Sequence, residues 1–131
     1  MSHQLGDLQL AIMRELWSRD EATVAQVHEA LLPQRGLALT TIATMLRKME
    51  DKGVVRHRTE GRQFVYQPTV SQDQVSRSMI SQLTDRLFGG DATALVSHLL
   101  KDSDIGADEL DELRRMIEAR RKAAKEAGRA D

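Results

Sequence analysis

Apolar positions recur along the first 50 residues at helical spacing. Leu5, Leu8, Ile12 and Leu16 form one stripe, predicting a helix from about Asp7 to Trp17. Ser18-Arg-Asp-Glu breaks that pattern. Val24, Val27 and Leu31 then mark one face of a second helix, about Thr23 to Leu31, with Thr23 as its N-cap. Pro33 and Gly36 are expected to make the following turn. A third helix runs from about Thr40 to Asp51 or Lys52, ended by Gly53. Its apolar positions Ile42, Met45, Leu46 and Met49 fall at i, i+3, i+4 and i+7 and must face a core. The opposite face then presents Thr40, Ala43, Thr44, Arg47 and Asp51, flanked by Thr41 and Lys48.

The period then changes. Val54-Val-Arg-His-Arg and Gln63-Phe-Val-Tyr-Gln are β-prone runs around Thr59-Glu-Gly-Arg62, the pattern of a hairpin closed by Pro68. From Ser71 the chain reads as helical again. Ser71 and Gln74 make a capping box for a helix with Val75, Met79, Leu83 and Leu87 at four-residue spacing, stopped by Gly89-Gly90. Asp91 caps a short helix holding Leu95, Val96, Leu99 and Leu100. A last helix starts near Gly106, with Leu110, Leu113 and Ile117 on one face, and the segment from Arg120 to Asp131 is expected to fray.

These elements predict a mainly α fold. Residues 1–70 form a winged helix-turn-helix, three helices plus a β-hairpin wing, and residues 71–131 form a three-helix dimerisation module. Composition agrees. Only four of 131 residues are aromatic, so the core is built from aliphatic side chains and methionine. The absence of cysteine excludes disulfides and thiolate metal sites. The four histidines, His3, His28, His57 and His98, lack ligand spacing, so neither a metal nor a cofactor is expected. No signal peptide and no apolar run of about 20 residues appears, which points to a cytoplasmic protein without membrane insertion.

The net charge of −1 hides an uneven distribution. Between Arg35 and Arg62 there are seven Arg and Lys against three acids, a surplus of four positive charges. From Asp102 to Glu112 there are six acids and no base. A basic middle on a helix-turn-helix pattern points to double-stranded DNA. Thr40, Thr41 and Thr44 can bond phosphates or base edges, and Arg47 can read guanine or clamp phosphate. Lys48 and the wing's Arg62 supply phosphate charge, and Arg56 and Arg58 on the wing complete the candidate DNA-binding residues. The candidate dimer interface is Val75, Met79, Leu83, Leu87, Leu95, Leu99, Leu110, Leu113 and Ile117, since two-fold symmetry lets one short helix read two half-sites. No nucleophile elbow, phosphate loop or acid/base pair appears, so no enzyme activity is expected. Two alternatives stay open: a winged-helix regulator that senses a small molecule directly, and a winged-helix protein-interaction module.

Several runs together resemble the penicillinase repressors (BlaI/MecI/CopY type). They are Leu8 to Trp17, Ala22 to Leu31, Thr40 to Gly53, the wing from Arg56 to Pro68, Leu87-Phe-Gly-Gly, and Ile105 to Ile117 with Asp108-Glu-Leu-Asp-Glu-Leu113. The similarity covers roughly residues 5 to 120. It implies a homodimeric bacterial repressor on a palindromic operator, of the kind that controls antibiotic-resistance or copper-export genes. It also implies a membrane-embedded sensor metalloprotease as a partner, whose signal leads to cleavage of the C-terminal domain and loss of dimerisation. Two features depart from the family. The Cys-x-Cys metal motif of the copper branch is absent, and the Asn-Phe bond cleaved in the β-lactam branch corresponds here to His98-Leu99.

Overall fold

The computed structural model describes residues 4–129, so His3 and the last two residues of the expected frayed end lie outside it. The order is α1 (Asp7–Arg19), β1 (Ala22–Thr23), α2 (Val24–Arg35), α3 (Leu39–Asp51), β2 (Val55–Glu60), β3 (Gln63–Pro68), α4 (Gln72–Phe88), α5 (Ala92–Asp102) and α6 (Ala107–Arg129). The chain divides into two compact units, one ending at Arg86 and one beginning at Leu87.

The first unit is a winged helix. The inward stripes of its helices close on one another: Ile12, Met13 and Leu16 of α1, Val27 and Leu31 of α2, and Ile42, Leu46 and Met49 of α3 are all buried. Val54, Val55, Val65 and Tyr66 close the core from the sheet side. The two hairpin strands pair antiparallel from Val55↔Pro68 to Glu60↔Gln63, leaving a two-residue turn at Gly61-Arg62. Gly61 takes a φ of +63°, a backbone region that a tight hairpin turn demands and that glycine enters without a Cβ clash.

Three local expectations are corrected. The sheet has a third strand, since β1 pairs with β3 through Ala22↔Tyr66 and Thr23↔Val65, giving the order β1-β3-β2. Two residues carry no period, so only the tertiary pairing reveals this strand. Pro33 lies inside the last turn of α2 rather than in a loop, and the helix ends at Gly36, whose N–H donates to the Leu32 carbonyl. The segment after Arg120 is not frayed but continues α6 as far as Arg129.

The division of the chain also falls later than the expected break after residue 70. The capping box at Ser71 forms as expected, with the Gln74 N–H donating to Ser71 Oγ and the Ser71 N–H to Gln74 Oε1. The helix it opens, however, packs its first turns on the winged core. Trp17 Nε1 donates to the Val70 carbonyl at 2.9 Å, and Val75 is 2% exposed. Val75 therefore leaves the candidate dimer interface, because a side chain already buried in its own chain has no surface left for a partner. Met79 is half-buried against the same core, whereas Ile80 and Leu83 are exposed.

The second unit is different in kind. Asp91 caps α5 through a bond from the Ala94 N–H, as expected. None of the described residues of this unit is buried. Leu87, Val96, Leu99, Leu100, Leu110, Met116 and Ile117 are all exposed, and Val96, Leu100, Leu113, Met116 and Ile117 line an apolar groove of about 700 Å³. No described helix is long and apolar enough to cross a membrane.

Candidate nucleic-acid interface

Helix α3 is fixed from behind. Ile42, Leu46 and Met49 are at most 1% exposed, which forces the other face outward. That face carries Thr40, Thr41, Thr44, Arg47 and Lys48, all exposed. Thr40, Thr41, Thr44 and Lys48, with Met45, surround one shallow recess of about 260 Å³. Four of the five α3 residues expected to touch DNA thus share one spot, and Arg47 lies on the same exposed face. Ala38, at the N-cap, makes no side-chain cap, so no capping side chain occupies the first N–H groups at the positive end of the helix dipole. Such an end favours a phosphate.

The rest of the first unit holds α3 in place. Thr23 caps α2 with a reciprocal bond to Gln26, and His28 Nε2 on α2 donates to the Leu37 carbonyl just before α3 at 2.9 Å. Gln9 of α1 reaches Met45 Sδ at 3.4 Å.

The basic surplus read from the sequence is only partly available to a ligand. Arg35 and Lys52 turn to α1, bonding the Asp7 carbonyl, and the Gln4 carbonyl with Gln9 Oε1. Arg56 bonds Gln67 across the hairpin. Arg58 is held by Glu21 and by Glu60 at 2.9 Å. The hydrogen bond from Arg58 holds the Glu21 carboxyl below the usual carboxylate range. Arg58, expected among the DNA-binding residues, is thus already engaged at both ends of its guanidinium, although its side chain stays 46% exposed. Of the seven cations, Arg47, Lys48 and Arg62 make neither a side-chain hydrogen bond nor an ion pair among the described residues, which leaves them as the open cations of this segment.

A second group of residues was not visible to sequence reasoning. His57 Nδ1 lies 2.7 and 2.9 Å from the two carboxylate oxygens of Glu50 on α3. The imidazole stacks on Phe64 with ring centroids 4.2 Å apart, and Tyr66 sits 5.4 Å away. Burial, and then the Glu50 charge, push the Tyr66 phenol above its ordinary value. Phe64 and Arg62 also line a recess of about 310 Å³ with Leu39, Gln63 and the start of α2 at Thr23, Val24 and Ala25. Alternation along β2 put His57 and Arg58 on opposite faces, but nothing local pointed to Glu50 or Glu21 as their partners.

Of the remaining histidines, His98 pairs with Asp102 within α5, and the His98-Leu99 bond lies inside that helix with both side chains exposed. Among the described residues no three His, Asp or Glu side chains cluster to hold a metal.

A family model for the penicillinase repressors matches residues 5–119. The chain belongs to that family. It is 40% identical over 116 residues to the transcriptional regulator BlaI of Mycobacterium tuberculosis, spanning 87% of this chain and 83% of that protein. It is 26% identical over 123 residues to the penicillinase repressor of Bacillus licheniformis, spanning 94% and 96%. Among solved structures, the solution structure of the DNA-binding domain of the repressor BlaI is similar at 31% identity and a TM-score of 0.49, covering 55% of this chain and 90% of that one. The named relatives are a transcriptional regulator and a repressor.

Proposed function

We propose that this penicillinase repressor family member binds operator DNA sequence-specifically as a homodimer on a palindrome. The observation that carries the DNA reading is the outward face of α3, where Thr40, Thr41, Thr44 and Lys48 share one recess on a helix pinned from behind. In this reading α3 enters the major groove, with the threonines and Arg47 at base edges and phosphates. Lys48 and the wing's Arg62 supply phosphate charge. Arg56 is a weaker contributor because it already spends a bond on Gln67.

The homodimer reading rests on the second unit. Two helices with no buried residue cannot hold a fixed fold alone, and their half-exposed leucines and isoleucine need a cover. A second copy supplies the same face by symmetry. The proposed interface is Met79, Leu83, Leu87, Leu95, Leu99, Leu110, Leu113 and Ile117, joined by Val96, Leu100 and Met116. Repression is released when this interface is lost. A cut at His98-Leu99 inside α5 severs Leu99, Leu100, Leu110, Leu113, Met116 and Ile117 from the rest of it, and a membrane-embedded sensor metalloprotease is the agent that the sequence resemblance implies.

Selection from random duplexes tests the reading. The chain should enrich a palindrome whose half-sites lie one or more helical turns apart, about 34–36 Å per turn, and binding should weaken steeply with salt. Recovery of no preferred sequence, or binding indifferent to salt, would return the fold to a protein-interaction module.

A further inference from the structure

Two consecutive residues of the wing are each held by a carboxylate from another element, on opposite faces of the hairpin. His57 bonds Glu50 in the last turn of α3, and Arg58 bonds Glu21 at the entry to β1. Side chains alternate along a strand, so the two bonds grip β2 from both sides. We infer that the pairs His57–Glu50 and Arg58–Glu21 are latches that set the wing against α3, and that they act on DNA binding by presenting Arg62 rather than by touching DNA. The inference rests on the DNA-binding reading above.

The need for such latches follows from the sheet. Strand β1 supports the hairpin only at Val65 and Tyr66. Beyond that point, toward the Gly61-Arg62 turn, the two strands have no further backbone partner, and His57 and Arg58 stand opposite Tyr66 and Val65 at that last supported level. An isolated two-stranded ribbon is marginally stable in water. The link from His57 to Arg62 runs through Phe64. The imidazole stacks on the Phe64 ring, and that ring and Arg62 line the same recess opposite Leu39 and the start of α2. Moving His57 therefore moves the wall beside Arg62. Glu50 also lies one helical turn from Arg47, so the first latch places a proton donor on a negative charge next to an exposed cation of α3.

Both latches are substantially exposed, with side chains 30% and 31% accessible for the first and 46% and 41% for the second. Exposed pairs contribute little to global stability, so variants lacking them should fold with nearly unchanged thermal midpoints.

The test uses the full-length chain and the palindromic duplex from selection. Arg62→Ala alone should weaken binding and lower the log–log salt slope by about one. His57→Ala should weaken binding about threefold to tenfold and lower the slope equally, and adding Arg62→Ala to it should cost almost nothing more. His57→Asn, which keeps an N–H donor where Nδ1 stands, should recover much of the loss. For the second latch the sign decides. Glu21→Gln and Arg58→Ala should each weaken binding, and together no more than either alone. Tighter binding by Glu21→Gln would show Arg58 to be a DNA contact held back by its acid, and would overturn that latch. Additive losses for His57→Ala and Arg62→Ala, or His57→Ala without effect, would overturn the first. These outcomes are read against a wild-type chain that binds its palindrome, whereas failure of the wild type to select any duplex counts against the proposed function instead.

Discussion

The two units of this chain use similar aliphatic side chains in opposite ways. In the first, stripes from α1, α2 and α3 meet each other and the sheet, and ten of the larger side chains are fully buried. In the second, α5 and α6 carry stripes just as regular, yet no described residue is buried. Amphipathic period is thus a demand for a partner, and it does not say whether that partner is in the same chain. Three helices and a sheet surround a volume and can close it, whereas two helices can only make a groove. Helix α4 shows both cases along one stripe: Val75 is inside, Met79 half inside, and Leu83 and Leu87 are exposed.

Cutting the chain between the units probes this contrast most strongly. A fragment ending at Arg86 should fold and sediment as a monomer, because it keeps Val70 and Val75. Its operator affinity should fall roughly 10²–10⁴-fold through loss of bivalency. A fragment that stays dimeric would place the interface in the winged unit. A cut after Pro68 should do worse, since it removes the Trp17–Val70 bond and Val75 from the core.

Single truncations should separate the two kinds of apolar residue. Leu46→Ala should lower unfolding free energy by about 2–5 kcal/mol at every protein concentration. Ile117→Ala should leave the winged unit's stability alone and raise the dimer dissociation constant, seen by sedimentation across a dilution series. Equal, concentration-independent losses for both would mean that the second unit closes its own core.

Within the winged unit, Thr44→Ala should cost about 1–3 kcal/mol at one base position per half-site. A scan of all operator positions checks this, and a uniform loss would make Thr44 a phosphate contact. The smallest effect belongs to the second latch. The folded-state value of Glu21 is depressed, so its pairing with Arg58 contributes stability above the ordinary carboxyl value of about 4.5 and loses it as pH falls through the folded-state value. The stability difference between the wild type and Glu21→Gln should accordingly be small at neutral pH and close in acid. A gap that widens in acid would contradict the assignment.

Much of the fold was legible because its signals are local. The three-and-four spacing of Ile42, Met45, Leu46 and Met49 allows one buried face, and that choice alone turns Thr40, Thr44 and Arg47 outward. Thr23, Ser71 and Asp91 cap helices with bonds that span three residues. The hairpin was readable from the glycine between two β-prone runs.

The basic surplus was less informative than its count. Of its seven cations, Arg35, Lys52, Arg56 and Arg58 are bonded within the chain, and charge along a sequence cannot show which cations are already partnered.

The sequence by itself determined the helical faces, the caps, the hairpin and the exposed threonines of α3, because each follows from the geometry of neighbouring residues. Tertiary structure alone decided that Ala22 and Thr23 join the sheet, that Val75 belongs to the core, and that His57 meets Glu50 and Arg58 meets Glu21. Those pairs join residues 7 and 37 positions apart through the packing of separate elements, and no local period encodes such a meeting.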